Sequence, residues 1–314
     1  MPPVTVFVPL MHVQVAPPTV LCDFVFQSGA ELSTKQPTAV ANAIASLKLP
    51  DPLRWVADIE LNSLGAARGW LWVQQDIEHA PGHEFRNQIM TRLVTPLSTL
   101  LNCIHLTGAG ENTHWAFGAF QHIWRMYVAS GFTPADLPFR IRRLHSAQTE
   151  MATVAWSPER MSTGDELRRD LRSYAGPLIP RLALAFHSFL TLAGLDPTKL
   201  VERNLRLQIA ISALETFYIA PTEKNYIWSA AIQPRLAEVC EESPATIAEF
   251  CESIRAARND VVHRAGLQDT SIVNPTLNDA CAAADRILRS TLCWGVKNQT
   301  VIAEAFEADR WPVL

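Results

Sequence analysis

The chain changes texture near residue 160, and that change limits its folds more than any single motif does. Before it, "VTVFVPLMHVQV", "TVLCDFVFQS", "GWLWVQQDIEH" and "HWAFGAFQHIW" are β-branched and aromatic runs bounded by Pro, Gly and Asn. Such runs predict strands. Helical spacing appears between them at residues 37–48 and 83–104. Beyond residue 163 no strand pattern occurs. Helices are expected there at about 165–193, bent near Pro177 and Pro180, and at 198–219, 223–241, 245–263 and 277–297, with a short one following. Leu207, Ala210, Ile211, Leu214, Phe217 and Tyr218 share one face of the second of these. The expected architecture is an α+β domain over residues 1–160 and an all-α bundle of four to five helices over 163–314. A length of 314 residues suits two hydrophobic cores better than one.

The segment "SAQTEMATVAWSPERMS", residues 146–162, has the composition of a connector. Thr163 and Glu166 follow it with capping-box spacing, which predicts that the first helix of the bundle starts there. Pro234 falls within a predicted helix and is expected to break it or to mark its boundary.

Charge narrows the function classes. A net charge of -4 argues against coating duplex nucleic acid by bulk electrostatics, so any nucleic-acid contact is expected to be local. The six cysteines, at 22, 103, 240, 251, 281 and 293, include no CxxC pair and fall largely on apolar helix faces, as reduced structural thiols do. No Lys or Arg precedes Lys35, so no basic leader is recognised, and the apolar run "PLIPRLALAFHSFLTLAG" is too short to span a bilayer. A soluble cytoplasmic protein is the expectation.

One stretch concentrates polar chemistry on an apolar helix: "RAARNDVVHRAG", residues 255–266. On an ideal wheel Ile247, Phe250, Cys251, Ile254, Ala257, Val261 and Val262 form an apolar arc, with Arg258 inside it. A charge in that place is costly unless it snorkels, is paired, or meets a ligand or partner. Asn259 and His263 are i, i+4 neighbours on another face. The structural alternative is a helix end whose Arg and His complement the dipole, stopped by Gly266.

The stretch "RNDVVH" resembles the R-x4-6-H signature of the HEPN superfamily, in the form where Asn follows Arg. The upstream segment "LQIAISALETFYIAPTEKNYIWSAAIQPRLAEV" resembles the Ala-Leu-Glu helix and following turn of the Apea-like group. The resemblance covers about residues 165–297. It implies a HEPN-like helical bundle that dimerises so that two motifs face each other, and a metal-independent RNA endonuclease without cofactor. A ribose 2′-hydroxyl would attack the adjacent phosphate and leave a cyclic phosphate and a 5′-hydroxyl. His263 would be the acid or base. Arg258 would hold the phosphate, and Asn259 would orient either. A stripe facing a second subunit would then account for the arginine in the apolar arc. Arg258 and His263 lie about 140° apart on an ideal helix, so a shared site needs the arginine to reach round or the helix to loosen near Val262. Members often serve in prokaryotic defence or toxin systems, which implies an antitoxin or regulatory partner. Many relatives place glycine directly after the histidine; here the sequence is "HRAG", so Arg264 either adds a phosphate contact or displaces the cap.

Other residues are candidates in supporting roles. Glu215, at the edge of its helix's apolar face, is expected to pair with Arg258 or Arg255. Arg255 and Arg264 would complete a basic patch. The run "RIRRLH" offers Arg140, Arg142 and Arg143 as a track for an RNA backbone, or as a solvated face. In "EHAPGHE", Glu78, His79, His83 and Glu84 are ligand-type residues, with His105 and His114 elsewhere, but Pro81 and Gly82 prevent helical i, i+4 presentation and no metal site is expected. "GAGEN", residues 108–112, reads as a turn and not as a phosphate loop. The competing reading is a non-catalytic HEPN-like module that binds RNA, nucleotide or protein and uses Arg258 structurally.

Overall fold

A computed structural model describes residues 4–10, 13–15, 19–21, 23–28, 69–78, 83–107, 127–129, 154–173, 179–193, 195, 200–220, 222–223, 228–240, 242–264, 275–308, 310 and 311; for 258–264 it describes the backbone. Two compact units emerge: Met1–His105 with Ala119–Asp165, and Leu106–Gly118 with Glu166–Leu314.

The first unit is built on strands. β1 (Val4–Leu10), β3 (Thr19–Leu21), β4 (Phe24–Ser28), β5 (Gly69–Gln75) and β6 (Tyr127–Ala129) form a sheet in the order β3-β4-β5-β1-β6, with every neighbour antiparallel. β2 (Val13–Val15) pairs in parallel with β7 (Val154–Trp156). Val4, Val6, Val8 and Leu10 are all buried, and so are Leu71 and Val73, the period-two pattern of a sheet with one covered face. The same core takes in Phe85, Ile89, Leu93, Leu97 and Leu101 from the helical segment that follows β5, together with Trp156.

That segment runs as α1 (His83–Ile89), a π-helical turn (Met90–Val94) and α2 (Thr95–Leu106). Pro96 has no N–H for the carbonyl of Arg92, and its ring would clash there in a regular α-helix. The wider turn, closed by the Thr95 N–H to the Met90 carbonyl, relieves that clash. It also suits the unusual spacing of the buried side chains, 85, 89, 93 and 97, which would drift round the axis at 3.6 residues per turn. The expected strand at 114–124, the helix at 37–48 and the turn at 108–112 lie outside the described residues.

α3 (Pro158–Ser173) corrects the expected helix start. Ser157 is the cap: its hydroxyl accepts from the Arg160 N–H at 3.2 Å, its carbonyl accepts from Met161 N–H, and Pro158 takes the first helical position. The Thr163 hydroxyl instead donates to the Glu159 carbonyl at 3.0 Å, so no Thr163/Glu166 capping box forms. Gly164 in this helix approaches α2 closely. A Cβ placed there would stand 2.4 Å from Ile104 Cγ1 and 2.8 Å from Ile104 Cα. The division between units falls within α3, at Asp165 and Glu166.

The second unit is helical. α4 (Pro180–Ala193), α5 (Leu200–Tyr218), α6 (Trp228–Cys240), α7 (Pro244–Arg264), α8 (Pro275–Lys297) and α9 (Gln299–Glu307) follow in order. The single bent helix expected over 165–193 is two, since α3 ends at Ser173 and α4 begins at Pro180 with the Ile179 carbonyl accepting from Ala183 N–H. The described helices of this unit therefore exceed the expected four to five. α8 is the hub and packs against α4, α5, α6, α7 and α9. All six apolar residues expected on one face of α5 are buried. Pro234 does not end its helix: α6 runs through it, with Trp228, Ile232, Leu236 and Val239 buried along one side. Tertiary burial on both flanks outweighs the one backbone hydrogen bond that the proline removes.

Candidate nucleic-acid site on α7

α7 starts at a cap on Ser243, whose hydroxyl accepts from the Thr246 N–H at 3.1 Å, with Pro244 at the first helical position. Its buried line is Ile247, Cys251, Ile254 and Ala257, while Glu249, Glu252, Arg255 and Ala256 are exposed. The buried line is consumed within the chain, because α7 packs on α8, α6 and α5. The expectation that this stripe faces a second subunit is corrected as far as Ala257.

The backbone stays α-helical through Arg264, so of the two routes to a shared site the loosening near Val262 does not occur. Position 258 then lies four residues beyond Ile254 and seven beyond Cys251, at the centre of the buried line. Positions 259 and 263 continue a different line, four and eight residues beyond the exposed Arg255. Within one chain the helix thus groups Arg255, Asn259 and His263, and sets position 258 about 140° from position 263. The Arg255 guanidinium has a 3.5 Å contact to Glu252, one turn back, with both side chains largely exposed. Such a pair is weak and easily exchanged for a ligand.

Glu215 is half-buried at the end of α5, and the side chain of Arg258, an expected partner, lies outside the described residues. The Glu215 carboxylate accepts from the Trp228 indole N–H at 3.0 Å, which ties α5 to the first residue of α6. The only described ion pair of Arg255 is the one with Glu252. Arg140, Arg142 and Arg143 lie outside the described residues, as do His79 and His114. Glu78, His83 and Glu84 are exposed, His105 is buried, and among the described residues no group of three His, Cys, Asp or Glu is placed to hold a metal ion.

Two features escaped the sequence because distant segments build them. A depression of about 330 Å³ lies where α6 ends and α7 begins, lined by Cys240, Ile247, Phe250, Ile287 and Ser290 and bordered by the Glu242–Arg286 ion pair. The Arg286 guanidinium stands 5.3 Å from the Phe250 ring centre. Burial pushes the Cys240 thiol up to about 12 and the Cys251, Cys281 and Cys293 thiols up to about 11, so these are structural, poorly nucleophilic sulfurs. The second feature is an aromatic cluster. Trp311, beyond the end of α9, stacks on Trp294 with ring centres 5.7 Å apart and planes at 13°, and lies 5.0 Å from Tyr218.

Compared with known protein families, curated proteins and solved structures, the chain matches none. Among the described residues no helix is long and apolar enough to cross a membrane.

Proposed function

We propose that this chain is a metal-independent RNA endonuclease of the HEPN kind, working as a pair of copies through the end of α7. The ribose 2′-oxygen attacks the adjacent phosphorus, the bond from phosphorus to the 5′-oxygen breaks, and the products are a 2′,3′-cyclic phosphate and a 5′-hydroxyl. His263 moves the proton from the attacking oxygen or to the leaving one. Asn259, one turn before it, orients the imidazole or the phosphate. Arg255 is the cation on the same line and contacts the phosphate, joined by Arg264 near the helix end. Arg258 enters the site by its length or from the second copy. Arg140, Arg142 and Arg143 would extend the contact along the RNA. A cytoplasmic role in prokaryotic defence, restrained by a regulatory partner, follows by analogy alone.

The observation that carries this reading is the register of α7, which puts positions 255, 259 and 263 on one line continuing the helix's exposed side. A non-catalytic module binding RNA, nucleotide or protein is favoured by a different observation: position 258 continues the register of Cys251 and Ile254, where an arginine would serve as an anchor. Incubating a mixed RNA pool in EDTA with wild type and with His263→Ala, with folding and dimerisation checked in both, separates the readings. Cleavage that disappears in a folded, dimeric variant supports the nuclease; retention of RNA on a filter without cleavage by either supports the module.

A further inference from the structure

The ring of Trp311 occupies a slot whose walls are also joined to one another by contacts that leave it out. Tyr218 is fixed by a 2.7 Å hydrogen bond to Thr291 and packs edge-on against Phe217, centres 5.1 Å apart. Trp294 meets Phe217 at 6.3 Å, also edge-on. Arg235 is clamped by Glu223 through two hydrogen bonds of 2.8 and 2.5 Å and also donates to the Tyr218 carbonyl. These contacts tie α5, α6 and α8 to one another without Trp311.

By contrast, Trp311 is held through its ring, which also meets Phe217 at 6.0 Å and Phe306 at 6.1 Å, more than through its backbone. It lies outside any helix, half-buried, and a hydrogen bond from Arg310 N–H to the Ala305 carbonyl, 3.0 Å, ties its neighbour back to α9. Its indole N–H reaches Glu238 over a long 3.5 Å contact at the surface. What fixes the ring is therefore recognition by the slot. A flat face is offered by Trp294, a tilted one by Tyr218, a guanidinium by Arg235 at 5.5 Å from the ring centre, and a carboxylate for a ring N–H by Glu238. Stacking, cation–π attraction and an acceptor for a ring N–H together describe a flat nitrogen heterocycle of indole or purine size.

We propose that Trp311 is a built-in occupant of a preformed heterocycle-binding slot, and that the segment carrying it is a latch which a competing flat ring displaces. The proposal stands whether or not the chain cleaves RNA. Its structural basis is the set of contacts that join the walls without the ring that fills them.

Indole added to the full chain carrying Trp311→Ala tests this. The variant should fold with a lowered melting midpoint, and indole should raise that midpoint saturably, by about 3–6 °C at ten times its half-saturating concentration. 1-Methylindole, which lacks the N–H, should need several-fold more, and the wild type should show no rise at the same concentrations. A variant that fails to fold would overturn the proposal, because the walls would then need Trp311. A folded variant indifferent to indole would reduce Trp311 to a structural clasp, and an equal rise in the wild type would place the indole elsewhere.

Discussion

Arg235 grips Glu223 with both guanidinium nitrogens, Nη1 to Oε2 at 2.8 Å and Nη2 to Oε1 at 2.5 Å, while the same carboxylate caps the turn by accepting from the Ala220 N–H at 2.8 Å. The hydrogen bonds from Arg235 hold the Glu223 carboxyl down at about 2, below the usual carboxylate range. Because the folded value is depressed, the contribution to stability is fully present above about 4.5 and is lost as pH falls toward 2. Glu223→Gln should therefore lower stability by about 1 kcal/mol at pH 7, and its melting curve should merge with that of the wild type near pH 2. Thermal melts of both across that range check it. A gap that persists undiminished at pH 2 would mean the glutamate acts by packing alone.

Gly164 inverts a common rule. Alanine in place of glycine within a helix ordinarily stabilises by about 1 kcal/mol. Here the added methyl would meet the Ile104 side chain at 2.4 Å and its backbone Cα at 2.8 Å, so α2 and α3 must separate. Gly164→Ala should destabilise by about 1–3 kcal/mol. Trimming the neighbour with Ile104→Val should not restore the loss, since the backbone contact remains. Denaturant melts of the single and double variants measure both effects.

The Tyr218 hydroxyl and Thr291 Oγ1 stand 2.7 Å apart in a buried site, and the Thr291 hydroxyl donates onward to the Ile287 carbonyl at 2.8 Å. The threonine proton is thus committed, and the tyrosine is the donor between the two. Thr291→Val leaves a buried phenol without its acceptor and should cost about 1–3 kcal/mol, whereas adding Tyr218→Phe to that variant should recover part of the loss. Burial, the largest cause, holds the Tyr218 phenol well above its usual range. A raised value adds stability that is present below about 10 and declines as pH rises beyond it, because the unfolded chain ionises first. Ultraviolet titration should accordingly show Tyr218 ionising together with unfolding.

How much of this was legible follows from where the information lies. The α5 stripe from Leu207 to Tyr218 and the alternation in β1 are local patterns, and local patterns carry over into structure directly. The start of α3 differs from the expected one because two cap signals compete within ten residues. Ser157 followed by Pro158 and Glu159 is the one used, and Thr163 is absorbed into the helix by bonding to its own backbone. Pro234 looked like a boundary because a single helix, taken alone, gains nothing by continuing through it; burial of Ile232 and Leu236 on either side is what sequence spacing does not weigh. The bond from Trp228 to Glu215 crosses a turn whose path no periodicity reveals. The Trp311 slot draws on residues 217, 218, 235 and 294, and only the folded bundle brings them together.

Arg255 and Arg258, near the end of α7, provide the sharpest separation of the functional readings. Arg255 is exposed and its described pair with Glu252 is a loose surface contact, so Arg255→Ala should leave stability within about 0.5 kcal/mol of wild type. Position 258 continues the backbone register of Cys251 and Ile254, and on the module reading, in which its arginine is an anchor, Arg258→Ala should lower stability by about 1–3 kcal/mol. On the nuclease reading Arg255 neutralises a phosphate, and its loss should weaken RNA retention and flatten the dependence of log affinity on log salt by about 0.7, the value for one contact to a single strand. Melts and filter binding at several salt concentrations test both halves. An Arg255→Ala variant that binds RNA with an unchanged salt slope, beside an Arg258→Ala variant that melts like wild type and loses binding, would return the phosphate contact to Arg258.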